Sequence, residues 1–141
     1  MTRGDMPDET RRQPAFDLDT EEMSAADVFA VENLPRGSAM LLVQRGPDAG
    51  SRFLLDADEV SVGRHESSDI FLDDISVSRR HAIFSRNDGG FTVSDLGSLN
   101  GTYVNRDRID GEVRLSGGDE VQFGKYRLIY FVGHAPLGVA Q

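Results

Sequence analysis

The sequence contains no cysteine in 141 residues, which excludes a disulfide framework and any thiolate metal site. It lacks a run of about 18 apolar residues, so no membrane-spanning helix is expected. The N-terminus has no basic segment followed by an apolar core, so no secretory signal is expected either. Basic residues are scarce: 15 Lys and Arg face 24 Asp and Glu, a formal net charge of −9. That balance argues against a nucleic-acid partner, because a phosphate backbone needs a basic face. It does not argue against a single phosphate, since screening over roughly 8 Å at physiological salt lets a local basic cluster act against the global sign. Asp69, Asp73 and Asp74 do not have the spacing of a calcium loop and read as turn residues at a solvated edge, so no metal and no cofactor is expected. The expectation is a cytoplasmic protein that meets neither membrane nor nucleic acid.

Hydrophobic residues make up 38% of the chain, and the shortage lies at the front. Residues 1–34 hold 9 acids against 3 bases, and the remainder 15 against 12. An acidic head with little apolar surface does not offset its ordering entropy. Residues 1–37 therefore read as a disordered acidic tail, with a weak helical signal around residues 21–29 and Val28-Phe29 as an apolar hook for a partner.

From residue 39 the texture becomes that of strands. Apolar or alternating runs at 39–45, 52–55, 59–63, 70–72, 82–86, 91–95, 102–104, 120–123 and 126–132 are separated by turn residues. Asn87-Asp88-Gly89-Gly90 is a strong hairpin turn. No 3.6-residue period is sustained after residue 35. Short strands with a turn every 8–12 residues predict an all-β sandwich or barrel, with function on the loops its sheets hold. Residues 38–132 are the expected domain and 133–141 a flexible end.

Three loop segments carry the chemistry. Ser76-Val77-Ser78-Arg79-Arg80-His81 packs two hydroxyls, two guanidiniums and an imidazole together. Gly63-Arg64 lies upstream, and Gly97-Ser98-Leu99-Asn100-Gly101-Thr102 downstream. A phosphorylated side chain offers about −1.5 to −2 charges and three acceptor oxygens. Arg64 supplies a planar fork, Ser78 a short hydroxyl donor and Arg79 a second cation. The Asn100 amide both donates and accepts, so it can clamp a peptide backbone. Taken singly, each piece has an ordinary reading: a surface arginine, a structural histidine, a hairpin Asn-Gly. Together and in this order they predict a pocket for a phosphate dianion.

Gly63-Arg64, Ser78-Arg79-Arg80-His81 and Ser98-Leu99-Asn100-Gly101-Thr102 resemble the three signature blocks of the forkhead-associated (FHA) domain, and residues 118–124 resemble that family's closing strand pair. The resemblance implies a two-sheet β-sandwich of about eleven strands that binds phosphothreonine peptides and is not an enzyme. It implies phosphopeptide contacts from Arg64, Ser78, Arg79, Ser98, Leu99 and Asn100, with Gly63, His81 and Gly101 supporting the loops. Many FHA domains carry a hydroxyl residue where Leu99 stands, so one donor is missing here unless Ser98 substitutes.

Residues 34–39, 45–56 and 68–74 further resemble the actinobacterial oxoglutarate dehydrogenase inhibitor, or glycogen accumulation regulator, family. That likeness implies 2-oxoglutarate dehydrogenase and glutamate dehydrogenase as partners and a serine/threonine protein kinase as controller. In that family a tail threonine pair is phosphorylated and occupies the domain's own site. Here Ala25-Ala26 stands in place of the pair, which leaves Thr20, among Asp17, Asp19, Glu21 and Glu22, as the best acceptor. Two alternatives stand beside this reading: a phosphorylation-independent domain that grips a folded enzyme, and a hydrolase with Ser78, His81 and Asp95 as nucleophile, base and orienting acid.

Overall fold

The computed structural model describes residues 23–134. They form two facing sheets. In chain order the strands are β1 (Ala39–Arg45), β2 (Arg52–Leu55), β3 (Glu59–Gly63), β4 (Ile70–Phe71), β5 (Ala82–Asn87), β6 (Gly90–Asp95), β7 (Thr102–Val104), β8 (Asp107–Arg108), β9 (Glu112–Arg114), β10 (Glu120–Phe123) and β11 (Tyr126–Val132). One sheet has the order β2-β1-β11-β10-β7-β8 and the other β4-β3-β5-β6-β9. Every pairing is antiparallel except β3 with β4.

The alternation of apolar and polar residues sets which face turns inward. Leu41 and Val43 on β1, Phe84 on β5, Val93 on β6, Phe123 on β10 and Leu128 on β11 meet in one buried cluster between the sheets. The β5–β6 connection turns on Asp88 and Gly89, both with positive φ (52° and 81°). That matches the twist two-residue hairpins require. Asn105 and Arg106 turn the chain from β7 to β8 in the same way, at φ 51° and 74°, without a glycine to announce it.

In the segment expected to be a disordered tail with only a weak helical signal at residues 21–29, the chain forms a helix, α1 (Ala25–Glu32). Ser24 Oγ accepts from the Asp27 N–H at 3.0 Å, and Asp27 returns a bond to the Ser24 N–H at 3.4 Å, a reciprocal cap. Eight residues do not hold a helix in water on their own. The sheet holds it: Met23, Ala30, Val31 and Leu34 pack on Met40, Leu42, Ile129 and Phe131, the outward side chains of β1 and β11. Arg52 donates to the Ala26 carbonyl at 3.0 Å and faces the Asp27 carboxylate at 3.5 Å. Phe29 stays out in solvent, 67% exposed. None of the helices among the described residues is long and apolar enough to cross a membrane.

The β3–β4 loop, the β4–β5 loop, the β6–β7 loop and the β10–β11 turn gather at one end of the sandwich. Met23 and Asp27 lie beside Ala49 and Gly50 of the β1–β2 loop, and Gly46 of that loop backs onto the Lys125 carbonyl. Helix α1 therefore begins at this same end.

Candidate functional site

Arg64 leaves β3 as the chain turns, and two bonds fix it to the β4–β5 loop. Its N–H donates to the Ser78 carbonyl at 2.9 Å, and its Nε donates to the Val77 carbonyl at 3.0 Å. The second bond orients the guanidinium so that both Nη groups point away, and neither has a partner among the described residues. His65 N–H donates to the Arg79 carbonyl at 3.3 Å, so the two loops run as a pair. Gly63 permits this approach: a Cβ there would strike the Arg79 carbonyl oxygen and lie 2.9 Å from its carbon.

Ser78 Oγ accepts from the Leu99 N–H at 2.9 Å, which ties the β4–β5 loop to the β6–β7 loop. The hydroxyl hydrogen of Ser78 has no acceptor among the described residues and is free to donate. Asn100 Nδ2 donates to the Ser76 carbonyl at 2.9 Å, while its amide oxygen is unengaged. Ser76 Oγ donates to Asp74 at 2.6 Å and accepts from the Lys125 N–H at 2.9 Å, which adds the β10–β11 turn to the cluster. Arg64, His65, Glu66, Phe71 and Arg79 line a cleft of about 330 Å³. That is the low end of what holds a small ligand, and it suits one side chain rather than a large cofactor.

His81 lies beneath these loops, fully buried, with its ring edge-on to Phe123 at 5.5 Å between centroids. Its Nδ1 accepts from the Ser78 N–H at 3.0 Å, so the proton sits on Nε2, which donates to the Gly101 carbonyl at 2.9 Å. Both ring nitrogens are thus engaged by backbone. His81 cannot act as base on the Ser78 hydroxyl, and Asp95 bonds to other groups, so the Ser78–His81–Asp95 arrangement weighed from sequence does not exist.

Asp95 organises the third loop instead. One carboxylate oxygen accepts from the N–H groups of Gly97 and Ser98 at 2.9 and 3.0 Å. The other accepts from Ser98 Oγ at 2.5 Å and from Thr102 Oγ1 at 2.7 Å. Ser98 Oγ in turn accepts from the Gly101 N–H at 2.9 Å. Gly101 adopts φ +85°, and a Cβ there would meet the Arg108 guanidinium at 2.6 Å.

This corrects the expected contact from Ser98. The residue is buried and its hydroxyl is committed to Asp95, so it braces the loop and does not stand in for the missing donor at Leu99. Leu99 itself is 85% exposed, and its N–H is spent on Ser78. Arg64, Ser78, Arg79 and Asn100 do share one end of the fold. Thr20 lies outside the described residues. Asp69 bonds to Ser61 and Asp74 to Ser76, so these acids serve local turns.

The network has a pH dependence. Burial holds His81 below the ordinary imidazole value of 6.5, although its bond to Gly101 and the charge of Asp95 act the other way. The unfolded chain then takes up a proton that the folded one refuses as pH falls below 6.5. Burial would raise the Asp95 carboxyl, but the bonds from Ser98, Thr102 and Gly97 outweigh it, and its pKa lies below the ordinary 3.8. Stability from Asp95 is present above 3.8 and is lost as pH falls through its folded value. Both signs agree. Urea melts should show stability flat from pH 7 to about 9 and declining below 6.5, by at most about 1.4 kcal/mol per pH unit per group. His81→Asn should flatten the upper part of that decline.

Comparison with known proteins supports the same grouping. The FHA domain family matches residues 60–124. The glycogen accumulation regulator GarA of Mycolicibacterium smegmatis is 62% identical over 106 residues, 75% of this chain and 66% of that protein. The oxoglutarate dehydrogenase inhibitor of Corynebacterium efficiens is 57% identical over 112 residues, 79% of this chain and 78% of that protein. A solved structure, from a structural and functional analysis of phosphothreonine-dependent FHA domain interactions, superposes with a TM-score of 0.63 at 28% identity, covering 69% of this chain and 98% of that one. Fold, loop constellation and sequence agree: the chain belongs to the FHA domain family, on the branch of the glycogen accumulation regulators and oxoglutarate dehydrogenase inhibitors.

Proposed function

We propose that this chain is a phosphothreonine-reading regulatory module and not an enzyme. One observation carries the reading. The Val77 carbonyl holds the Arg64 guanidinium, whose Nη groups have no partner among the described residues, in a cleft shared with Arg79, and the loop that supplies Val77 also carries the Ser78 hydroxyl, which accepts from the Leu99 N–H and keeps its own hydrogen to donate. A guanidinium fork, a second cation and a hydroxyl able to donate are what a dianion with three oxygens recruits. The Asn100 amide oxygen, without a partner among the described residues, can accept from the backbone of the same peptide. With Leu99 offering no hydroxyl, phosphate recognition rests on Arg64, Ser78 and Arg79.

A peptide carrying phosphothreonine should bind at low micromolar strength, about −8 kcal/mol, while the same peptide with threonine should not bind measurably. Fluorescence anisotropy of the two labelled peptides checks this, and equal affinities would defeat it.

The name oxoglutarate dehydrogenase inhibitor, carried by the Corynebacterium relatives, supports 2-oxoglutarate dehydrogenase as the first partner of this chain. We further propose glutamate dehydrogenase as a second partner and a serine/threonine kinase as the controller. Thr20 is the acceptor assigned here. It is the threonine that stands in an acidic run, with Asp17, Asp19, Glu21 and Glu22 around it. Ile75 and Leu99, 88% and 85% exposed, stand on the two loops that the Asn100–Ser76 bond joins. That apolar rim favours a second reading, a phosphorylation-independent grip on a folded enzyme. Capture of such an enzyme that survives phosphatase treatment and is lost in Ile75→Asp would select it.

A further inference from the structure

Arg80 is not part of the phosphate cleft. Arg79 and Arg80 lie in the bend that enters β5, and their side chains line different depressions. Arg79 lines the cleft with Arg64, while Arg80 lines a separate groove of about 290 Å³ on the outer side of the five-stranded sheet. Ile83 and Leu96 give that groove an apolar floor and wall, and Ser67, Ser68 and His65 border it. The Arg80 side chain has no hydrogen bond or ion pair among the described residues. The Ser68 hydroxyl has none either. In the neutral His65 ring, Nδ1 accepts from the Ser67 N–H at 3.0 Å, with the Ser67 hydroxyl 2.6 Å away, so the proton is on Nε2. The groove therefore offers a guanidinium, a hydroxyl and an imidazole N–H with no acceptor among the described residues. The acids nearby are engaged or turned elsewhere: Asp69 bonds to Ser61, and Glu66 lines the other cleft.

His65 lines both depressions, so they are neighbours with one imidazole between them. Two or three residues of extended peptide advance about 7–10 Å, enough to step past one side chain. A ligand anchored by phosphothreonine at Arg64 can thus place an adjacent side chain at Arg80. The charge available at Arg80 selects what that side chain is.

We propose that Arg80, with His65 and Ser68, forms a second anion subsite that reads an acidic group (a carboxylate, or a second phosphate) flanking the phosphothreonine. The inference rests on the proposed phosphothreonine reading and deepens it from a phosphate reader to a reader of acidic or doubly phosphorylated segments. The chain's own Thr20, set among Asp17, Asp19, Glu21 and Glu22, is a segment of that chemistry.

The test is a peptide scan read by fluorescence anisotropy at low salt. A singly phosphorylated parent with neutral flanks is compared with peptides bearing one Glu at each position from three before to three after the phosphothreonine, and with peptides bearing a second phosphothreonine at the same positions. At one or two positions Glu should tighten binding about three- to fivefold, and a second phosphate about tenfold or more. Arg80→Ala should erase those gains and leave the parent within about twofold of wild type. A gain from the second phosphate alone narrows the ligand to doubly phosphorylated segments, and a gain from Glu as well broadens it to acidic flanks; both support the subsite. Parent binding with no gain at any position, or gains that persist in Arg80→Ala, overturns the subsite and leaves the phosphothreonine reading standing. A parent that does not bind at all overturns both.

Discussion

Arg64→Ala should lose phosphothreonine-peptide binding by a hundredfold or more while the protein stays folded. Two charge-assisted bonds from the guanidinium fork contribute about 1.5–3 kcal/mol each, and each factor of ten in affinity is about 1.4 kcal/mol. The loss is that large because nothing nearby substitutes. Arg79 lines the same cleft, but only Arg64 has its guanidinium braced, by the Val77 carbonyl. The fold should notice little: Arg64 is exposed, and the side-chain bond removed is worth about 1 kcal/mol. Arg64→Lys separates charge from geometry. Lysine keeps the cation but cannot bond Val77 and two phosphate oxygens together, so it should recover only a minor part of the affinity. Isothermal titration of the three proteins against one phosphopeptide, with matched thermal melts, gives the answer. Undiminished binding by Arg64→Ala would remove the residue from the site.

Asp95→Ala should cost both stability and binding. Four donors converge on this carboxylate, from Gly97, Ser98 twice, and Thr102. Thr102 is fully buried and Ser98 nearly so, and a buried donor left without an acceptor costs about 1–3 kcal/mol. Some of the donors will find water, so a total near 3 kcal/mol is expected, a fall of about 10 °C or more in melting temperature for a domain of this size. Binding should fail even where the protein is folded, because the loop held by Asp95 presents the Leu99 N–H to Ser78 and the Asn100 amide to Ser76. Asp95→Asn keeps one acceptor oxygen and should retain part of each property. A melt unchanged in Asp95→Ala would show that the loop is held by something else.

These two residues mark what the sequence made legible. Arg64 stood out because glycine before it and strands around it already placed a cation on a loop. Asp95 was noticed only as a partner for a histidine it does not touch. Its real role had a readable signal: an Asp two residues before a glycine is a common Asx-turn opener. Ser98 shows the limit of a motif, since the letters do not say which hydroxyl faces solvent; only the Asp95 contacts turn it inward. The strands with alternating or apolar runs, β1 to β7 with β10 and β11, were legible from period and turns. β8 and β9, with two and three mostly polar residues, were not, because their order comes from pairing with β7 and β6 rather than from burial of their own. Helix α1 was obscured by acidic composition, yet the evidence for it lay downstream. Ala39 to Val43 is apolar at every position, and a strand buried on both faces needs a cover on both. Ser24 and Asp27, at capping spacing, marked where the cover begins.

Phosphothreonine reading by these loops is tested most directly by a backbone-amide NMR titration of the full chain with a phosphothreonine peptide and its unphosphorylated twin. Large shifts are expected at Arg64, Ser78, Arg79, Leu99 and Asn100 with the phosphopeptide, and none with the twin. Shifts of equal size from both peptides, or shifts confined to helix α1 and the β2 edge, would contradict that reading.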